Sequence, residues 1–127
     1  MKLMTDQSIE QEIQSKGLTA PRITPDDIEA NIQAEFYFLA SDGKNGESAV
    51  EIWKDDEESF DAIDSLDLLT FCVLVLRNGF TVTGESACAS PENFDAEIGR
   101  KIARANAVQK VWPLMGYALK ERLNQPI

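Results

Sequence analysis

The sequence predicts an α+β domain: an antiparallel sheet centred on a β-hairpin, covered by an N-terminal helix and a long C-terminal helix. Three observations predict it. An Asn-Gly pair, Asn78-Gly79, separates two strand-like runs, the strongest short-range sign of a hairpin. A Thr-Pro-Asp-Asp start at Thr24 opens a run of apolar residues at helical spacing, with the cap and first-turn chemistry that helices favour. A second run at helical spacing extends from Phe94 to Leu123. The N-terminal helix is expected over about 25–40, the hairpin over about 68–87 and the C-terminal helix over about 91–123.

Residues 1–20 carry only Ile9 and Ile13 as helically spaced apolars, so they read as a short helix or a loose arm. Residues 21–127 are expected to form one domain, since a chain of 127 residues can bury a single core. In the N-terminal helix Thr24 caps, Pro25 takes the first helical position and Asp27 completes a capping box. Ile28, Ile32, Phe36 and Leu39 then form one buried stripe. Tyr37 and Phe38 lie off that stripe, either as further core or against a second surface. Ala49 to Trp53 alternates as a short strand would. The acidic segment that follows carries Asp55, Asp56, Glu57 and Glu58 but lacks the central Gly and final Glu of a calcium loop. It reads as a solvated loop.

In the hairpin a two-residue turn at Asn78-Gly79 would set Arg77 against Phe80, Val75 against Val82, Leu74 against Thr83 and Cys72 against Glu85. The first strand, "LTFCVLVL", is apolar on both faces. It is therefore expected to be central or covered on both sides. Ser90-Pro91 starts the C-terminal helix, and Pro113 predicts a kink or two abutting helices. Phe94, Ile98, Ile102, Ala105, Trp112, Met115, Leu119 and Leu123 read as its core stripe. Ala96, Gly99, Ala103 and Ala107 read as a second, small-residue face for a neighbour in the same domain or in another chain.

Composition narrows function by exclusion. The net charge is −10, and the chain has no histidine. Ser–His and Cys–His nucleophile pairs and histidine-containing zinc sites are therefore excluded within one chain. Through residue 70 there are 17 acids and 5 bases; beyond it there are 5 acids and 7 bases. An acidic N-terminal half argues against general nucleic-acid binding. Two cysteines without a CxxC, Cys72 and Cys88, read as small buried thiols. No apolar run approaches a membrane span, and the polar, acidic N-terminus is no signal peptide. The expected location is the cytosol. Phosphate loops, nucleophile elbows and zincin helices are absent from the sequence. The expectation is a protein that is not an enzyme and needs no metal or cofactor.

The motifs TPDDI (24–28), NGF (78–80), SACASPENFDAEIG (86–99) and WPLMGYALKERL (112–123) resemble a family of small tailed-phage proteins of the coliphage and Shigella-phage type. That family is in turn similar to the first type of Thoeris anti-defence protein. The resemblance implies a phage protein that sequesters a cyclic nucleotide immune signal without cleaving it. The signal would be a cyclic ADP-ribose isomer or a cyclic oligonucleotide, held between subunits of a homo-oligomer. That oligomer is expected to be a dimer or hexamer joined through the C-terminal helix. For such a ligand Arg100 and Arg104 would bind phosphates, and Asn93 a phosphate or base edge. Phe80 would stack on a base, and Arg22 would close the pocket. The alternative expectation is an acidic protein-interaction module that inhibits a host protein or mimics nucleic acid.

Overall fold

The computed structural model describes residues 5–55 and 58–126. Asp56 and Glu57, half of the acidic quartet singled out above, lie outside the described residues. The element order is α1 (Asp6–Ser15), α2 (Pro25–Asn31), β1 (Ile32–Leu39), α3 (Ala40–Lys44), α4 (Phe60–Ser65), β2 (Leu69–Leu76), β3 (Thr81–Ala87) and α5 (Ala96–Leu123). The fold is α+β, with β1, β2 and β3 paired antiparallel in that order.

The capping box forms as the sequence predicts. The Asp27 N–H donates to Thr24 Oγ1 at 3.1 Å, and the Thr24 N–H donates to Asp27 Oδ2 at 2.9 Å. The helix is much shorter than expected, however. It ends at Asn31, and Ile32–Leu39 is strand β1. Two forces decide this. The run "AEFYF" is aromatic-rich and suits a pleated surface. β2 also offers a complete ladder, pairing Phe36 with Val73 and Phe38 with Phe71. Of the predicted helical stripe, Ile28 and Ile32 are buried, but Phe36 is 55% exposed.

The hairpin turn is one residue longer than a two-residue turn. The Leu76 N–H donates to Phe80 O at 2.8 Å, and the Gly79 N–H donates to Leu76 O at 2.9 Å. The loop is thus Arg77, Asn78 and Gly79, with Gly79 at φ 88°. This is the three-residue hairpin that needs a left-handed residue at its end. The register becomes Leu74 against Val82 and Cys72 against Gly84. A one-residue slip moves a strand's side chains to the other face. Here it sets Val82 and Gly84 beside Leu74 and Cys72, under α5.

α5 runs unbroken through Pro113 rather than as two abutting helices. Asp95, not Ser90, is its cap: Asp95 Oδ1 accepts the Ile98 N–H at 3.0 Å. Pro91–Asn93 is a separate 3-10 turn. The helix meets the sheet through its small face. Gly99, Ala103, Ala107 and Val111 are buried, whereas Ile98 and Ile102 are exposed. Gly84 explains this inversion. A Cβ there would lie 2.1 Å from Ala103 O and 2.3 Å from Ala107 N. The helix backbone therefore rests directly on β3, an approach that only small helical residues allow. Ile28, Leu74 and Val111 complete the core. Each contributes roughly 1.5–3 kcal/mol by its burial.

β2 is apolar on both faces, but α5 covers only one. On the other, Phe36 and Phe38 remain exposed, and Phe38 stacks on Phe71 at 5.6 Å. Ala49 to Trp53, expected as a strand, forms no strand among the described residues, and Val50 and Ile52 are exposed. Residues 6–15 form a capped helix rather than a loose arm. Its Asp6 Oδ2 accepts Trp112 Nε1–H at 3.1 Å, tying α1 to α5. Cys72 is buried and Cys88 half-buried, and both are free thiols.

Candidate functional site

Beyond Val111, α5 overhangs the sheet. Its C-terminal half, the end of α2 and the hairpin loop enclose a groove of about 430 Å³. Arg22, Arg77 and Arg122 line it, with Asn31, Asp27 and Met115. A smaller hollow of about 250 Å³ shares Asn31, Met115 and Ala118 and adds Leu114, Asn78 and Phe80. The lining of the larger groove holds three guanidinium groups against one carboxylate. That is a local positive excess in a chain of net charge −10.

Each arginine is placed differently. Arg22 precedes α2 and forms a two-pronged ion pair with Glu10 of α1, with Nη2 to Oε2 at 2.7 Å. Gln14 Nε2 donates to the same carboxylate at 2.6 Å. The Arg22 guanidinium, helped by Gln14, holds the Glu10 carboxyl down at about 2. Arg77 begins the hairpin loop. Its main-chain N–H donates to Asn31 O at 2.9 Å, and its Nε–H donates to Ala30 O at 3.2 Å. These bonds satisfy carbonyls that the end of α2 leaves without helical partners. They also fix the guanidinium at the groove while its two terminal nitrogens keep their donors. Arg122 lies in the last turn of α5, where a cation suits the helix dipole. Among the described residues neither Arg77 nor Arg122 has an ion-pair partner. Asp27, the one carboxylate, already accepts the Thr24 N–H as part of the α2 cap.

The other expected site residues are placed elsewhere. Arg104 is fully engaged. Its Nε donates to Glu35 Oε1 at 2.7 Å, and Nη1 and Nη2 donate to Glu29 at 3.1 and 2.7 Å. It ties α5 to α2 and β1, and it holds the Glu35 carboxyl below the usual range, helped by the Tyr37 hydroxyl. Burial, with the Glu35 bond, pushes Tyr37 up, and burial pushes up the Cys72 thiol beside it. Arg100 and Asn93 are exposed, on α5 and on the 3-10 turn before it, and neither lines the groove. Of the five candidates, Arg22 and Phe80 are brought to one region. Arg77, Arg122 and Asn31 were missed because they come from segments far apart, and no local spacing links them.

Chemically the groove can hold an anion and a ring. Guanidinium forks match phosphate oxygens. Phe80, 55% exposed, offers a stacking surface beside the apolar side chains of Met115 and Leu114. Among the described residues no cluster of three or more acids and cysteines is placed to hold a metal ion.

The phage protein (N4 Gp49/phage Sf6 gene 66) family matches residues 23–123. The chain belongs to this family. No curated protein and no solved structure matches it. The family match spans the sheet, α5 and two of the three groove arginines, Arg77 and Arg122. Arg22 and its partner Glu10 lie before the matched residues. Among the described residues, no helix of this phage protein is long and apolar enough to cross a membrane.

Proposed function

We propose that this phage protein is an anti-defence binder. It sequesters a cyclic nucleotide signal, a cyclic ADP-ribose isomer or a cyclic oligonucleotide, without cleaving it. The observation that carries this reading is the groove. Three guanidinium groups from separate parts of the chain converge there, beside an exposed phenyl ring and an amide. Arg77 and Arg122 supply phosphate donors, Arg22 sits as the third wall, and Phe80 takes the base. The chain has no histidine to act as a general base, and a binder needs none.

The test is capture and release. The purified protein is mixed with cyclic ADP-ribose isomers and cyclic di- and trinucleotides, filtered and heat-denatured, and the released compounds are identified by mass spectrometry. One nucleotide is expected to be depleted from the filtrate and recovered intact. Arg77→Ala and Arg122→Ala should each weaken its binding about 10- to 100-fold, the effect of losing one charge-assisted contact of ~1.5–3 kcal/mol. An altered product would make the protein an enzyme. Passage of the whole panel would overturn the reading for these ligands. It would favour the acidic interaction module, whose support is the exposure of Val50, Ile52 and Phe60 around the acidic segment.

A further inference from the structure

We propose that the sheet face turned away from α5 is a self-association surface. A second copy of this chain docks there, sheet on sheet, with β1 of each copy over β3 of the other. This inference is independent of the ligand groove, which lies on the helix side of the sheet.

The β1 and β2 rows of this face are apolar where a solvated sheet face is ordinarily polar, and β3 adds Thr81, Thr83 and Glu85. Phe36 and Phe38 are 55% and 39% exposed on β1, and Val73 lies between them and β3 on the central strand. Charge argues for a like partner. The chain carries a net charge of −10, yet Glu85 is the single charged side chain on this face. A partner recognised by charge finds no handle there. Two acidic copies, by contrast, meet little mutual repulsion there, one carboxylate from each.

Shape argues the same way, and it selects the arrangement. The β1 side of the face is bulky, through Phe36 and Phe38, and the β3 side is short, through Thr81 and Thr83. Phe36 and Thr83 stand at the same level, both opposite Val73. A two-fold axis running along β2 lays the bulky row of each copy over the short row of the other. Sheets packed in this way keep their strands within about 30° of each other.

Size sets the strength. Three strands of about seven residues span roughly 14 by 23 Å, on the order of 300 Å². A stable interface needs about 800 Å² on each partner. The dimer is therefore reversible and concentration-dependent. Because like charges surround an apolar centre, added salt should strengthen it, whereas salt weakens a charge-driven complex.

Sedimentation equilibrium of the full chain, from about 1 µM to about 1 mM, spans the affinities such an interface can have. The expected result is a monomer–dimer equilibrium that shifts toward dimer with salt. Phe36→Lys and Thr83→Glu, both at exposed positions, should each weaken association at least ten-fold with an unchanged circular dichroism spectrum. An equal mixture of the two variants should regain it, because Lys at 36 of one copy meets Glu at 83 of the other. Ile102→Glu on α5 is the control and should leave association as it was. A wild type that stays monomeric throughout would overturn the proposal. So would variants that dimerise as the wild type does, or a mixture no tighter than its components.

Discussion

The two halves of α5 are built from different residues. The first half lies on the sheet, with Gly99, Ala103 and Ala107 sealed against β2 and β3. Of its two arginines, Arg104 has its donors taken by Glu29 and Glu35, while Arg100 is exposed and lines no part of the groove. The second half overhangs the sheet and carries Leu114, Met115 and Arg122 along a groove. There Arg122, and Arg77 across from it, keep donors that no carboxylate among the described residues has claimed. Close backbone contact leaves no room for a ligand between the first half and the sheet. An overhang leaves both room and unspent donors. What separates Arg122 from Arg104 is its partners, and what separates it from Arg100 is its place on the groove.

The sharpest way to break this contrast is at Gly84. Gly84→Ala puts a Cβ against helix backbone, 2.1 Å from Ala103 O. Backbone cannot rotate aside as a side chain can. The expected cost is at the upper end of overpacking effects, about 3 kcal/mol or more, read from the urea midpoint. A loss below about 1 kcal/mol would mean that the first half of α5 is free to lift, and the contrast between the halves would fall.

The next effect is smaller and depends on pH. Arg104→Met leaves Glu29 and Glu35 facing one another without their shared cation. The pairs are partly solvated, so the expected loss is about 1–2 kcal/mol near neutral pH. The Glu35 carboxyl is held down in the folded protein, so the folded state binds its proton less readily than the unfolded state. The stability it contributes is present above the ordinary carboxylate value of 4.5 and is lost as pH falls through its lowered folded value. Wild type and variant should therefore converge on acidification. Glu10, held at about 2 by Arg22, adds a second loss over the same descent, and Arg104→Met should leave that loss in place. Urea unfolding of both proteins across this range checks the result. A gap that stays constant with pH would show that Arg104 acts through packing alone.

Much of the fold was legible in the sequence. The α2 cap, the hairpin and the far end of α5 are local chemistry, visible in Thr24-Pro25, Asn78-Gly79 and the apolar spacing to Leu123. What was not legible depends on partners. "IQAEFYFL" fits helical spacing and strand alternation equally well, and only the ladder from β2 decides it. The hairpin register and the choice of the helix's small face rest on one contact, Gly84 under Ala103 and Ala107, which joins positions some twenty residues apart. The candidate site was less legible still. Arg22 and Phe80 announce ligand chemistry by residue type alone. Arg104 was read with them, although Glu29 and Glu35 claim it, and both lie in segments read as one continuous helix. Arg77 and Arg122 gave no signal, because the groove exists only once the hairpin loop and the end of α5 have met.

The smallest effect on stability is expected at Arg122, and it sharpens the comparison most. Arg122 is exposed, sits in the last turn and has no ion-pair partner among the described residues. Arg122→Ala therefore forfeits little beyond a favourable dipole interaction, under about 1 kcal/mol. Arg122 lines the groove with Arg22 and Arg77, so under the proposed binding role its loss should fall on capture rather than on stability. The expected pattern is a nearly unchanged urea midpoint with ligand capture weakened ten-fold or more, the reverse of Arg104→Met. If the two variants instead lose stability equally and neither alters capture, both arginines belong to the scaffold. The overhanging half of α5 would then be an extension of the half that lies on the sheet.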